Sequence, residues 1–174
     1  VVAGLWHALS LLRVFPHPIA YFNELAGGPS RGYRVLGESN LDWGQGLPEL
    51  KGFIKNNPGG LLLSYFGTDC PREYGLTFQD AFSSPGLCPG SSSALPVDAA
   101  REWLAVSATK WQGFYKIGPP AWGWLRTRKI YAALGYSMFI YDITSDVEAH
   151  RELAAMYADA GQPAMARREL ARAE

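Results

Sequence analysis

Three short apolar runs decide most of what this chain can become. They are residues 61–66 (Leu-Leu-Leu-Ser-Tyr-Phe), 103–106 (Trp-Leu-Ala-Val) and 137–143 (Ser-Met-Phe-Ile-Tyr-Asp-Ile). The first two are continuous and too short for buried helices, which is the pattern of strands covered on both faces. The third alternates, with Met138, Ile140 and Asp142 against Phe139, Tyr141 and Ile143, and predicts a sheet edge with one wetter face. Helical patterns lie between the runs. Leu47, Leu50, Phe53 and Ile54 recur with a period near 3.6 until residues 56–60 (Asn-Asn-Pro-Gly-Gly) stop the helix. Pro16 and Pro18 break any helix entering from the N-terminus, residues 19–25 suit a short helix, and residues 33–36 suit a strand or a helical turn. Residues 67–98 read as a long irregular loop, 109–115 as a loop or short helix, and 122–125 as the start of another helix. The alternation predicts an α/β fold: a small three-layer-like sheet of three to five mostly parallel strands with flanking helices.

At Asp146 the character changes. Residues 146–174 are rich in Ala, Glu and Arg, and Gly161 with Pro163 marks a tight turn between two helices. Leu153, Ala154, Tyr157, Gly161, Ala166, Leu170 and Ala173 fall at intervals that resemble one tetratricopeptide repeat. In that reading the alanines let the helices approach while Leu153, Tyr157 and Leu170 fill the seam. A single repeat cannot cover both its faces, so it must dock on the body, on a second copy or on further repeats. The alternative is a generic helical hairpin. The expected organisation is a membrane-proximal helix remnant over 1–13, an α/β domain over 14–145 and the hairpin over 146–174.

Composition narrows the function classes. Sixteen basic and sixteen acidic residues cancel, which argues against a strongly basic nucleic-acid binder, and 13% aromatic residues argue against a charged disordered chain. Residues 1–12 are apolar but interrupted by His7 and Ser10, and too short to cross a bilayer. They suit the trimmed end of a membrane helix, an interfacial helix or an ordinary core helix. Cys70 and Cys88 have no metal-ligand spacing and no histidine close by. They are two unrelated buried thiols, or a disulfide closing a loop of about 18 residues and worth about 3 kcal/mol. The surrounding Pro- and Gly-rich loop can bury little else, which favours the disulfide.

Catalytic patterns are thin. His7, His17 and His150 are scattered, no metalloprotease, nucleophile-elbow or phosphate-loop motif occurs, and Gly44-Gln-Gly46 lacks the third glycine of a dinucleotide site. No metal or cofactor is expected. One segment carries a sharper hypothesis: residues 39–45, Ser-Asn-Leu-Asp-Trp-Gly-Gln. Asn40, Asp42 and Gln45 around Trp43 offer amides, a carboxylate and an indole face, which suit sugar hydroxyls and an apolar C–H face. Tyr65, Trp111 and Gln112 are the same residue types at strand ends. The competing reading is turn chemistry, with Asn40 and Asp42 tying up backbone and Trp43 in the core.

Several segments are familiar together. Residues 17–29 (His-Pro-Ile-Ala-Tyr-Phe-Asn-Glu-Leu-Ala-Gly-Gly-Pro), Gly32-Tyr33, 39–45, 63–68 (Leu-Ser-Tyr-Phe-Gly-Thr), 105–113 (Ala-Val-Ser-Ala-Thr-Lys-Trp-Gln-Gly) and 135–141 (Gly-Tyr-Ser-Met-Phe-Ile-Tyr) carry a likeness. Over residues 14–143 the chain resembles the C-terminal region of bacterial polytopic glycosyltransferases of the protein-mannosyltransferase and aminoarabinose-transferase superfamily. The resemblance implies a polyprenyl-phosphate sugar donor, an extracytoplasmic location on the periplasmic face of the inner membrane, and a membrane-embedded catalytic region of the same polypeptide as partner. The superfamily's catalytic carboxylate lies near the start of the whole protein, so no catalytic residue carries over and this chain is expected to be inactive alone. The leading expectation is therefore a non-catalytic accessory domain that binds a glycan, an acceptor or a lipid-linked sugar. The alternative is a protein-interaction module working through residues 146–174. A freestanding α/β enzyme is disfavoured, since no nucleophile–base pair is visible.

Overall fold

The computed structural model describes residues 2–37, 40–83, 93, 95, 99–113 and 122–174. Five strands form one sheet: β1 (Gly60–Ser64), β2 (Gln79–Asp80), β3 (Glu102–Ser107), β4 (Ala132–Leu134) and β5 (Met138–Asp142), in the order β2-β1-β3-β5-β4. β1 runs parallel to β2 and β3, and β5 runs antiparallel to β3 and β4. The pairings thus divide evenly, because β4 and β5 form a hairpin. Gly135 (φ +53°) and Tyr136 (φ +59°) both take the left-handed conformation that such a tight turn uses. The predicted edge position of the third apolar run is corrected here. β5 lies inside the sheet with Met138, Phe139, Ile140 and Tyr141 buried, and the edges are β2 and β4. β2 comes from the stretch expected to be irregular; two residues are too few to show a period.

Successive side chains on a strand point to opposite faces, which sorts the apolar runs into two layers. Leu61, Leu63, Trp103, Ala105 and Ile140 pack with Leu47 and Leu50 of helix α2 (Leu47–Asn56). Phe53 of α2 meets the Trp103 ring edge-on at 5.1 Å. Leu62, Leu104, Val106, Phe139 and Tyr141 face the other way, toward α4 (Val147–Asp159) and α5 (Pro163–Arg172). The result is the expected three layers. A short helix α3 (Ala108–Gln112) follows β3 directly, and a 3-10 turn occupies Trp122–Thr127.

The C-terminal hairpin docks on the body, with Ala149, Leu153, Met156, Tyr157 and Ala166 in the same core cluster as the sheet. Asp146 caps α4 by accepting from the Ala149 amide at 2.9 Å, and the Arg128 guanidinium beside it holds its carboxyl below the usual range. Leu170, expected in the seam, is 49% exposed. The inward face of α5 is set by Ala166, Glu169 and Arg172, and Leu170 is rotated about 100° from Glu169.

That inward face is polar as well as apolar. Glu169 accepts from Gln79 Nε2 (2.8 Å) and pairs with His150 Nδ1 (2.9 Å) and with Arg172, while Arg172 Nε lies 2.8 Å from Glu102. His150 Nε2 faces Glu102 (3.1 Å) and the Ile143 carbonyl (3.0 Å). Burial works against charge on His150, but the Glu102 and Glu169 carboxylates outweigh it and raise its pKa to about 9. Two carboxylates therefore face two cations, a buried quartet that joins β3, α4 and α5, to which Gln79 of β2 is tied through Glu169.

The N-terminal helix α1 (Val2–Val14) behaves in the opposite way. Of its described side chains only Ser10 and Val14 are buried, which overturns the reading as an ordinary core helix. No helix among the described residues is long and apolar enough to cross a membrane. The chain then folds back along α1. Tyr21 meets His7 (Oη to Nδ1, 3.2 Å), and Glu24 accepts from Ser10 Oγ (2.7 Å) and Trp6 Nε1 (3.3 Å). Residues 19–25, expected as one short helix, instead hold two 3-10 turns, Pro18–Ala20 and Glu24–Ala26, and a further 3-10 turn spans Pro29–Arg34.

Candidate functional site

The loop over residues 40–46 is built around Asp42. This side chain is 1% exposed; its Oδ1 accepts from the Gly44 amide (3.1 Å) and its Oδ2 from the Thr109 amide (3.3 Å). One carboxylate thus turns its own loop and ties it to the first turn of α3. Burial pushes the carboxyl up to about 6, against the opposing pull of the Gly44 and Thr109 hydrogen bonds. Gln45 closes the loop: its Oε1 accepts from the Trp43 amide (2.7 Å) and its Nε2 donates to the Leu41 carbonyl (2.9 Å). Asn40 is exposed and donates to the Gly37 carbonyl at 3.4 Å.

Tyr65, one residue past β1, is buried under this loop and donates to the Gly44 carbonyl at 2.9 Å. Burial raises its phenol pKa further. The fit explains two glycines. A Cβ on Gly44 (φ +81°) would lie 2.1 Å from Tyr65 Oη, and one on Gly67 (φ +157°) would lie 2.3 Å from it. Asn40 and Asp42 bond backbone of the turn, as the competing reading expects, and Gln45 and Tyr65 add bonds that it did not foresee. Trp43 departs from that reading: its side chain is 59% exposed, not in the core.

Trp111 and Gln112 stand at the other end of α3 and belong to a different surface. Gln112 Nε2 donates to the carbonyls of Tyr33 and Leu36, the latter at 2.9 Å, and so holds the 33–36 stretch against α3. Trp111 packs edge-on to Tyr33 (5.4 Å) and Phe139 (5.7 Å), with the Arg126 guanidinium 5.3 Å from its ring. Tyr33, Arg34, Val35, Leu36, Trp111 and Arg126 line a groove of about 360 Å³. The structure therefore splits the candidates into two groups, both anchored to α3: the Asp42 loop at its start and the groove at its end.

The sequence reading missed Arg34 and Arg126. Neither has a local signature, since Arg126 reaches Trp111 across a turn. Their chemistry is plain: two guanidiniums beside an indole and a phenol suit a ligand with a flat apolar face and an anionic or hydroxyl-rich edge. Near Gln45 lies a second cavity, of about 450 Å³, between the His17–Glu49 contact, Pro16, Ile19 and Pro48. His17 also sits edge-on to Tyr136 at 6.0 Å. Among the described residues no group of three or more His, Cys, Asp or Glu is arranged to hold a metal ion.

Among the described residues no cysteine is free. Cys70 precedes the 3-10 turn Pro71–Tyr74, whereas Cys88 lies outside the described residues.

What these features define is an α/β domain with an aromatic–guanidinium groove on one side and an exposed apolar helix at its N-terminus. No family model, curated protein or solved structure matches the chain.

Proposed function

We propose that this chain is a non-catalytic, extracytoplasmic accessory domain of a membrane glycosyltransferase that uses a polyprenyl-phosphate sugar donor. In this reading it sits on the periplasmic face of a bacterial inner membrane and offers a sugar or acceptor surface beside the catalytic region. The supporting observation is α1. Val2, Leu5, Trp6, Leu9 and Leu12 are 82%, 63%, 59%, 50% and 70% exposed, an apolar stripe at helical spacing of the kind that marks an interaction or membrane surface. Residues 2–14 give this exposed apolar face a helical rise of about 20 Å, which suits a segment at or near a membrane. The likeness of residues 14–143 to the polytopic glycosyltransferases supplies the enzyme class. An oxidising compartment further predicts a Cys70–Cys88 bridge, and thiol titration of the unreduced protein is then expected to find no reactive thiol.

Two separate surfaces are assigned to sugar, one at exposed Trp43 and one in the groove of Trp111 and Arg126, because Asp42, Gln45 and Tyr65 are engaged inside the fold. A glycan array tests this. Loss of array signal in Trp43→Ala or Arg126→Ala, with an unchanged melting temperature, supports the reading; an array blank for the unaltered protein removes it.

A second reading has one observation in its favour. Leu170 is exposed on α5, and Val147 is 41% exposed at the start of α4, so the hairpin leaves two large apolar side chains for a protein partner to cover. Because the hairpin shares the core, deleting it would unfold the body. Leu170→Glu is the clean test: partner capture that survives it excludes Leu170 as recruiter.

A further inference from the structure

We propose that residues 13–34 form a collar that lies in the headgroup layer of an anionic bilayer, with Leu25 inserted and Arg13 and Arg31 on lipid phosphates. The proposal rests on the reading of α1 as membrane-proximal and adds a lipid class to it.

The first argument is where the apolar surface lies. Among the described residues, twelve of the fifteen large hydrophobic side chains that stand exposed fall within residues 2–43; Tyr131, Val147 and Leu170 are the others. Leu25 is the extreme case at 98%, with Phe15 at 78% and Ile19 at 42%. The second argument is charge. The collar itself, residues 13–34, holds Arg13, Arg31 and Arg34 against the single acid Glu24, an excess of two positive charges, with Glu38 following it. All three arginines are exposed, and none takes part in an ion pair within 4.0 Å among the described residues. Bases interleaved with exposed apolar tips complement anionic lipid.

The third argument fixes depth. Glu24 is exposed and carries an oxygen held by Ser10 and another by Trp6, and Arg13 lies close enough to favour its charge. An ionised carboxylate is excluded from hydrocarbon, so the level of α1 at Trp6 and Ser10 belongs to the headgroup zone, where an indole also prefers to sit. Leu25 follows Glu24, and Arg31 packs its aliphatic carbons around Gly27, within 2.8 Å of a Cβ built there. The Gly27 amide donates to the Glu24 carbonyl at 3.1 Å, so Leu25 lies in, and Arg31 packs on, the turn whose Glu24 carboxylate Trp6 and Ser10 hold.

Vesicle flotation of the full chain tests the collar, comparing phosphatidylcholine alone with phosphatidylcholine containing one-third phosphatidylglycerol. The expected result is binding to both, stronger on the anionic vesicles. Arg13→Gln with Arg31→Gln should lower anionic partition about 25-fold, roughly fivefold for each charge, and leave neutral partition unchanged. Leu25→Ser should weaken both severalfold without changing the melting temperature. Equal partition into the two compositions, or indifference to the arginine pair, overturns the collar. Leu5→Asp with Leu9→Asp separates the two ideas: loss of all binding there, with the arginines indifferent, sinks the collar and keeps the reading of α1. Absence of binding to either vesicle sinks both. Vesicle-free self-association that Leu25→Ser abolishes assigns the patch to a second copy and also overturns the proposal.

Discussion

The two ends of this chain are both helical appendages in sequence, yet they handle apolar surface in opposite ways. The C-terminal hairpin turns Leu153, Met156 and Tyr157 onto the sheet and buries two carboxylates and two cations with them. The N-terminal helix leaves Val2, Leu5, Trp6 and Leu12 outward and is tied down by polar contacts at His7, Ser10 and Glu24. The difference teaches that apolar content does not by itself say which surface a helix covers. The hairpin has a mate within the chain, and the first helix has its apolar face still to place.

The sharpest break in this contrast is Glu169→Ala. It leaves His150 and Arg172 buried with one carboxylate between them, and urea denaturation is expected to show a loss of about 3–5 kcal/mol. Next comes pH. His150 has its folded pKa raised from 6.5 to about 9, so its stabilisation is complete below pH 6.5 and is lost as pH rises through 9. The loss is of the order of 3 kcal/mol, read as a falling urea midpoint that His150→Leu should flatten. Gly44→Ala, which drives a methyl into Tyr65 Oη at positive φ, is expected to cost about 3 kcal/mol in the same measurement.

Asp42 has the opposite pH sign from a paired carboxylate. Its folded pKa is raised from 3.8 to about 6, so the folded state prefers the neutral acid, and the group's contribution worsens as pH rises from 3.8 through 6. Asp42→Asn should flatten that part of the pH–stability profile relative to the unaltered chain. The smallest effect belongs to the other end: Leu5→Ser on α1 is expected to change stability by no more than about 0.5 kcal/mol. A large loss there would mean that α1 is core after all and would erase the contrast.

Much of the fold was legible before the structure. The runs at 61–66 and 103–106 became β1 and β3, the 3.6-residue period at Leu47, Leu50 and Phe53 became α2, and the change at Asp146 marked a true helix cap. The site was legible only in part. The described part of the 39–45 segment, residues 40–45, is the expected loop opening a helix, but the inward turn of Asp42 and the outward turn of Trp43 have no local signature. Likewise nothing at Arg126 announces Trp111, and nothing in the hairpin's repeat-like spacing announces that Glu169 rather than Leu170 faces the sheet.

Periodicity and turn chemistry determined which segments are strands and helices, because those signals depend on residues within a few positions of one another. The tertiary structure alone decided the sheet order, the two-residue strand at Gln79, the partition of the candidate residues around α3, and the buried quartet. Their partners lie far apart along the chain, 19 residues for His150 with Glu169 and 90 for Gln79 with Glu169. Pairings at that distance form only where packing brings the segments together, and no window of neighbouring residues encodes them.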